Sequence, residues 1–283
     1  MTSVDRHRSG LSVPRSSVVG QRSGFHGLSS AVFGPNRQGM RSIKLTIEYD
    51  GTAYHGWQVQ PNARTVQGVI ETKLAQITGE RVKLIASSRT DSGVHALGQV
   101  ANFKTSSSLD ARSFLRALNG LLPEDIRVKD CEEVDEGFHA RFSAKRKLYE
   151  YRILNGEVHS SFYRHFSWFI PGKLDLARMR EAAMKLVGRH DFSSFCSAGS
   201  MHKTTAREIY GIQVGRRSGF VVIRIEANAF LKQMVRNIVG TLVDVGRRKL
   251  TPSEFGAILE ARDRRKAGMA APAKGLFLVK IHY

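Results

Sequence analysis

Arg89, Asp91 and His95 fall within seven positions of one another in the run SSRTDSGVHALG. A carboxylate beside a guanidinium on an exposed loop is a competent nucleophile or base. His95 adds a second candidate base, although an isolated loop histidine is more often a surface or hydrogen-bonding residue. Asp91, Ser92 and Gly93 are also turn-forming types, so on composition alone a plain turn competes evenly with a chemical role. Length favours chemistry. The segment reads as about ten residues between two strands that a hairpin joins with about two to five.

Other chemistries have less support. The chain has no G-x-S-x-G, no Walker A run, no H-E-x-x-H and no dinucleotide fingerprint. Its histidines are scattered, and Cys131 and Cys196 stand far apart with no C-x-x-C partner. No metal and no cofactor are expected. The nearest rival acid–base pair is His190 and Asp191 in GRHDF, which reads as a structural pair following a helix C-cap.

The elements that must position these residues follow from periodicity. IKLTIEYDG alternates Ile43, Leu45, Ile47 and Tyr49 on one face, the pattern of a half-buried strand. TVQGVIETKLAQITG sets Val66, Ile70, Leu74 and Ile77 at helical spacing and stops at Gly79. Strands are expected at 81–88 and 99–105, flanking the Asp91 loop. A helix capped by Asp110 and a strand over 125–134 complete a β-α-β-β-α-β order. The order then recurs. RKLYEYRIL reads as a strand, and DLARMREAAMKLVG as a helix capped by Asp175 and stopped at Gly188. AREIYGIQVGRR and GFVVIRIEA read as an antiparallel pair. FLKQMVRNIVGTLVDVG is a helix, TPSEFGAILEARD a short second one, and GLFLVKIHY a closing strand. The expected fold class is α+β: two tandem ferredoxin-like units, residues 42–145 and 146–283. Their antiparallel sheets lie side by side, with a central cleft suited to RNA.

Charge points to the partner. The 283 residues carry 44 Lys and Arg against 25 Asp and Glu, a net of +19. Residues 1–41 account for only +5 of it. A body this basic favours a polyanion, and nucleic acid leads. No apolar run reaches the length of a membrane span. Arg216–Arg217, Arg247–Arg248 and Arg262–Arg265 are candidate phosphate contacts. Residues 1–41 are rich in Ser, Gly and Arg and read as a disordered basic extension. Residues 1–39 also have the acid-poor look of an organelle transit peptide, and Met40 stands where translation could instead begin.

Six stretches in order carry a resemblance. They are YDGTAYHGWQVQPNARTVQG, SRTDSGVHALGQVANF, KLYEYRI, GRHDFSSF, FLKQMVRNIVG and PAKGLFL. From about residue 42 onward the chain resembles the tRNA pseudouridine synthase A family. The family usually has Gly before the Arg of R-T-D, where this chain has Ser88. That departure bears on the local backbone rather than on the carboxylate. The resemblance implies a cytoplasmic isomerase that converts uridine to pseudouridine in the anticodon stem-loop of tRNA, at positions 38–40. It also implies a homodimer and no cofactor.

The resemblance makes Asp91 the nucleophile and Arg236 its partner. Arg236 lies off the apolar stripe of Leu231, Val235, Ile238 and Leu242, sharing another face with Lys232. Tyr149, alternating with Lys145, Lys147 and Tyr151, is expected to stack on the target uracil. Leu276 would be an apolar lid on that base, and Arg89 would fill the space that the extruded nucleotide leaves. His95 is a lesser candidate for RNA contact. The rival reading, from another class, is a non-catalytic RNA-binding protein or RNA chaperone. RRSGFVVIRIEA faintly echoes an RRM strand, and the β-α-β-β-α-β order is also the RRM topology. A metal nuclease is a distant third.

Overall fold

A computed structural model of the chain describes residues 39–197, 199 and 204–283. The extension read at residues 1–41 lies outside the described residues up to 38; the first strand already begins at Arg41. Strand β1, Arg41–Tyr49, buries Ile43, Leu45, Ile47 and Tyr49 on alternate positions. Helix α1, Val66–Thr78, starts at Thr65, whose side chain accepts from the Gly68 amide. It ends at Gly79, in the left-handed conformation that glycine adopts without strain. Strand β2 is Ile85–Ala86 and β3 is His95–Thr105. Helix α2, Ala111–Leu121, is capped by Asp110 and buries Phe114 and Leu118 against the sheet. Burial of side chains this size contributes about 1.5–3 kcal/mol each. Strand β4, Ile126–Val134, follows.

The second half contains β5 (Arg146–Gly156), β6 (Trp168–Pro171) and α3 (Leu176–Met184), the last capped by Asp175. Then come β7 (Gly188–Asp191), β8 (Ala206–Arg217) and β9 (Phe220–Ala227). Helix α4 is Met234–Gly246 and α5 is Pro252–Ala261, the latter opening on a Thr251–Glu254 capping box. Strand β10, Leu276–His282, closes the chain.

The fold is α+β, with one open sheet and five α-helices among the described residues. Sheet order is β4-β1-β3-β10-β5-β9-β8-β7, with β2 pairing β3 and β6 pairing β5. Where two antiparallel sheets were expected side by side, the strands join in one mixed sheet. The join is a short parallel seam, Phe277 opposite His95 and Leu278 opposite Ala96. The C-terminal strand therefore sits in the middle of the sheet, between β3 and β5.

Other differences have local causes. The strand expected at 81–88 shrinks to two residues because side chains of α1 occupy the backbone of Leu84. Glu71 Oε1 accepts from its amide at 2.8 Å, and Gln67 Nε2 donates to its carbonyl at 3.3 Å. The flanking strand β3 starts at His95, four residues earlier than expected. Helix α4 starts at Met234 because Gln233 has φ 58°, which breaks the helical run. Gly188 opens β7 and does not cap α3, which already ends at Met184.

Candidate active site

The Asp91 loop is held on three sides. Segment 50–57 wraps around it: Trp57 N donates to the Thr90 carbonyl at 3.1 Å, and Ser92 Oγ to the Tyr54 carbonyl at 3.2 Å. Tyr49 and Thr90 share a hydroxyl hydrogen bond at 2.8 Å. This wrapping requires Gly56, which has φ 85° and at which a Cβ would lie 2.5 Å from the Thr90 carbonyl oxygen. From β3, Gln99 Nε2 donates to the Ser88 carbonyl at 2.7 Å. From α4 comes Arg236.

Arg236 Nη1 donates to Asp91 Oδ2 at 3.0 Å, joining residues 145 positions apart. Its Nε donates to the Ala271 carbonyl at 2.7 Å, so the guanidinium is aimed by one bond while it uses another. The side chains are 15% and 33% exposed, less wet than an ordinary surface pair. As the third residue of α4, Arg236 places a cation in the first turn, where it opposes the helix dipole. The 269–271 segment reaches Arg236 because Gly240 has no side chain; a Cβ there would lie 1.7 Å from the Met269 carbonyl oxygen.

Tyr149 lies on β5 beside this pair. It is buried, meets Phe230 edge to face at 4.9 Å, and donates its hydroxyl to Ser88 Oγ at 3.3 Å. Burial pushes the phenol up to about 12, with the Asp91 charge adding to the shift and the Ser88 hydrogen bond opposing it. Near neutral pH the ring is uncharged, so it offers a face and a hydroxyl and no anion. Ser88 adopts no left-handed backbone, so its replacement of glycine causes no strain there. Leu276 stands opposite Tyr151 on the neighbouring strand, and Leu278 opposite Tyr149. Leu276 is thus on the same face as the tyrosine, and is itself buried. Arg89 is exposed, two residues before Asp91.

His95 was expected to be a base or an RNA contact, and the structure gives it no surface for either. Its ring is 1% exposed and stacks on Phe277 at 4.8 Å. Nδ1 accepts from the Gly51 amide at 3.1 Å, and Nε2 meets the carbonyls of His165 at 2.9 Å and Lys274 at 3.2 Å. It ties the Asp91 loop to the chain that enters β10. His190 and Asp191 lie on β7, where His190 Nε2 meets the Val187 carbonyl and Asp191 accepts from Ser193.

Asp91, Arg236, Tyr149 and Leu276 are therefore brought to one place. Sequence reasoning missed Gly56 and Trp57 as the walls of the loop, and Ser88 as the contact of Tyr149. The signal for the first two was the pair of glycines in DGTAYHGW. A carboxylate held by an aimed guanidinium, beside a neutral tyrosine and an apolar lip, can attack an electron-poor carbon of a planar base or its sugar.

The chain is similar to known proteins along most of its length. The sequence pattern of the family described as "tRNA pseudouridine synthase" matches residues 45–143 and 182–283. A protein of Acetivibrio thermocellus named tRNA pseudouridine synthase A is 50% identical over 244 residues, 86% of this chain and 100% of the relative. The protein of that name from Thermoanaerobacter pseudethanolicus is 49% identical, and that from Caldicellulosiruptor bescii 48%, each with the same coverage. Among solved structures, a Cbf5-Nop10-Gar1 complex matches at 14% identity over 83% of this chain and 57% of that chain. Its TM-score of 0.34 is too low to inform the fold.

Proposed function

Because the chain belongs to the tRNA pseudouridine synthase family, an isomerase family acting on uridine in tRNA, we propose that Asp91 is its nucleophile and that Arg236 aims that carboxylate. The family membership sets aside the reading as a non-catalytic RNA-binding protein. In the reaction the C1′–N1 bond breaks, the base turns, and a C1′–C5 bond forms. The C5 proton is lost and N1 gains one, so atoms and electrons balance without a redox partner. Asp91 supplies the temporary covalent link that keeps the detached half of the nucleoside in place.

The single observation that carries this reading is the 3.0 Å contact between Arg236 and Asp91, made across 145 residues and beside Tyr149. Tyr149 stacks on the target uracil and Leu276 covers its other side. Tyr149 is 5% and Leu276 6% exposed, so admitting the base requires these side chains to part. Arg89, exposed and next to the nucleophile, takes the space left in the RNA by the extruded nucleotide. Extrusion costs a few kcal/mol, which contacts along the cleft offset.

The substrate is the anticodon arm at positions 38–40, handled by a homodimer in the cytoplasm. One protomer holds the tRNA body while its partner presents the active cleft. Residues 42–145 and 146–283 act as two ferredoxin-like units. The strand neighbourhoods β4-β1-β3-β2 and β10-β5-β9-β8 support that division, since each repeats one order, with two helices in the first unit and three in the second.

Asp91→Asn is the decisive test. With unmodified tRNA it should form no pseudouridine while its dissociation constant stays within about threefold of the parent, because the amide keeps the shape and loses the nucleophile. Parental turnover by this variant sinks the assignment.

A further inference from the structure

On the strand that carries Tyr149 lies a second cation that the mechanism has not used. Lys147 of β5 is 8% exposed. Its Nζ donates to the Ser87 carbonyl at 2.6 Å and approaches Ser88 Oγ at 3.4 Å. The same Ser88 oxygen accepts from the Tyr149 hydroxyl. Lys147 and Tyr149 are alternate residues of one strand and stand on one face. Together with Ser88 they bridge β5 to the backbone that leads into Asp91.

Burying an ammonium is costly unless a carboxylate compensates it. The charged neighbour that acts on Lys147 is Arg141, a second cation. A lysine held there by a carbonyl and a hydroxyl is a poor choice for stability alone. What it gains is geometric: a short, charge-assisted bond to the loop that carries the nucleophile.

We propose that Lys147, acting through Ser88, is a positioning residue for the isomerisation, setting the Asp91 loop against the Tyr149 ring when a uridine is bound. It does not touch the reacting atoms. The inference rests on the roles of Asp91 and Tyr149 given above.

The bridge depends on the lysine's charge. The groups facing Lys147 are Ser87 and Ser88 of the loop, Arg141 between β4 and β5, Tyr149 on its own strand, and Tyr283, whose hydroxyl lies near Ser87. Strands β9 and β10 meet it with Ala227 and Ile281, which do not titrate. Burial, with Arg141 second, lowers Lys147 to about 8. The ammonium therefore discharges in mildly alkaline solution, and the amine left behind is a weaker donor.

The test compares parent, Lys147→Arg, Lys147→Met, Ser88→Ala and the Lys147→Met/Ser88→Ala double variant. Single-turnover rates and tRNA dissociation constants are measured from about pH 6 to about pH 9.5. The parental rate should fall on the alkaline side with a midpoint near 8, while affinity changes by less than about twofold. Lys147→Arg, charged throughout, should stay within about tenfold of the parent and show no such fall. Lys147→Met and Ser88→Ala should each lose about tenfold or more in rate at neutral pH with affinity kept. The double variant should be no slower than the slower single one, because both residues serve one bridge.

Parental rates in both single-loss variants overturn the proposal. So does the same alkaline fall in parent and Lys147→Arg, or losses that multiply in the double variant. If Lys147→Met does not fold, Ser88→Ala and the Lys147→Arg profile decide. Parental turnover by Asp91→Asn is a different failure, that of the nucleophile itself, and is read in a separate reaction.

Discussion

Arg236 does two things with one guanidinium. Nε is spent on Ala271 and Nη1 on Asp91, and the planar fork makes the two directions compatible. A lysine has one nitrogen and no fork. Arg236→Lys should therefore lose about tenfold or more in the rate of pseudouridine formation while keeping the charge, a result that a purely electrostatic role does not yield. His95 supports a prediction of a different kind. Burial holds its ring below the ordinary 6.5, against the pull of Asp50 and two carbonyls. Folding therefore favours the neutral ring. The stability this contributes is full above 6.5 and is lost as pH falls through that value and below. Thermal unfolding of the parent should drop between about pH 7 and about pH 5 more steeply than that of His95→Asn, which cannot titrate. Parallel curves would show that other groups govern the acid limb.

At the scale of elements, two small changes separate folding from positioning. Thr251 closes a capping box at the start of α5, away from the Asp91 loop, with its hydroxyl accepting from Glu254 N at 3.1 Å. Thr251→Ala should cost about 1 kcal/mol in urea unfolding and leave the turnover of the folded enzyme unchanged. Gly56 lies in the segment that walls the Asp91 loop. At Gly56→Ala the new methyl meets the Thr90 carbonyl oxygen at 2.5 Å and the backbone must leave φ 85°. The loop has to shift, so turnover should fall by about tenfold or more even in enzyme that remains folded. Equal activity in both variants would mean that the loop tolerates displacement. Elements also explain what sequence patterns concealed. Residues 81–88 have strand-like composition, yet only Ile85–Ala86 form a strand there, and Gln67 and Glu71 of α1 take the backbone groups of Leu84 just before it.

Across the whole molecule, the C-terminal strand is what makes the two halves one sheet. β10 pairs with β5 over six register positions and with β3 over two. Asp91 enters from the β2–β3 side of that seam and Arg236 from α4, which precedes β10 in the chain. The charge of +19 is a property at this scale as well. Several basic residues singled out as phosphate contacts are paired on the surface, Arg248 with Asp175 and Arg265 with Asp263. Such exposed pairs contribute little to stability and open readily to a polyanion. Affinity for tRNA should fall as salt rises, with log K decreasing by about 0.7–0.9 per phosphate contact against log salt. A flat response in a titration of binding against salt would count against a charge-led interface.

Whatever depends on neighbours along the chain is encoded locally. Ile43, Leu45, Ile47 and Tyr49 alternate because a pleated strand turns successive side chains to opposite faces, and those four are buried. Thr65, Asp110 and Asp175 cap their helices because a short oxygen-bearing side chain satisfies an amide two or three residues on. Asp91 was legible as a candidate from the residue types and length of its loop, whereas Arg236 emerged only through the order of motifs that resemble a known family. That they meet, that His95 is sealed inside, and that Ser88 joins Tyr149 to the loop follow from packing across the sheet. Those contacts span 145 residues, or cross from one strand of the sheet to a loop on another. They depend on where β10 inserts and on which side chains of α1 interrupt a ladder. No local period of the chain encodes either, because both arise from packing between segments that are distant in sequence.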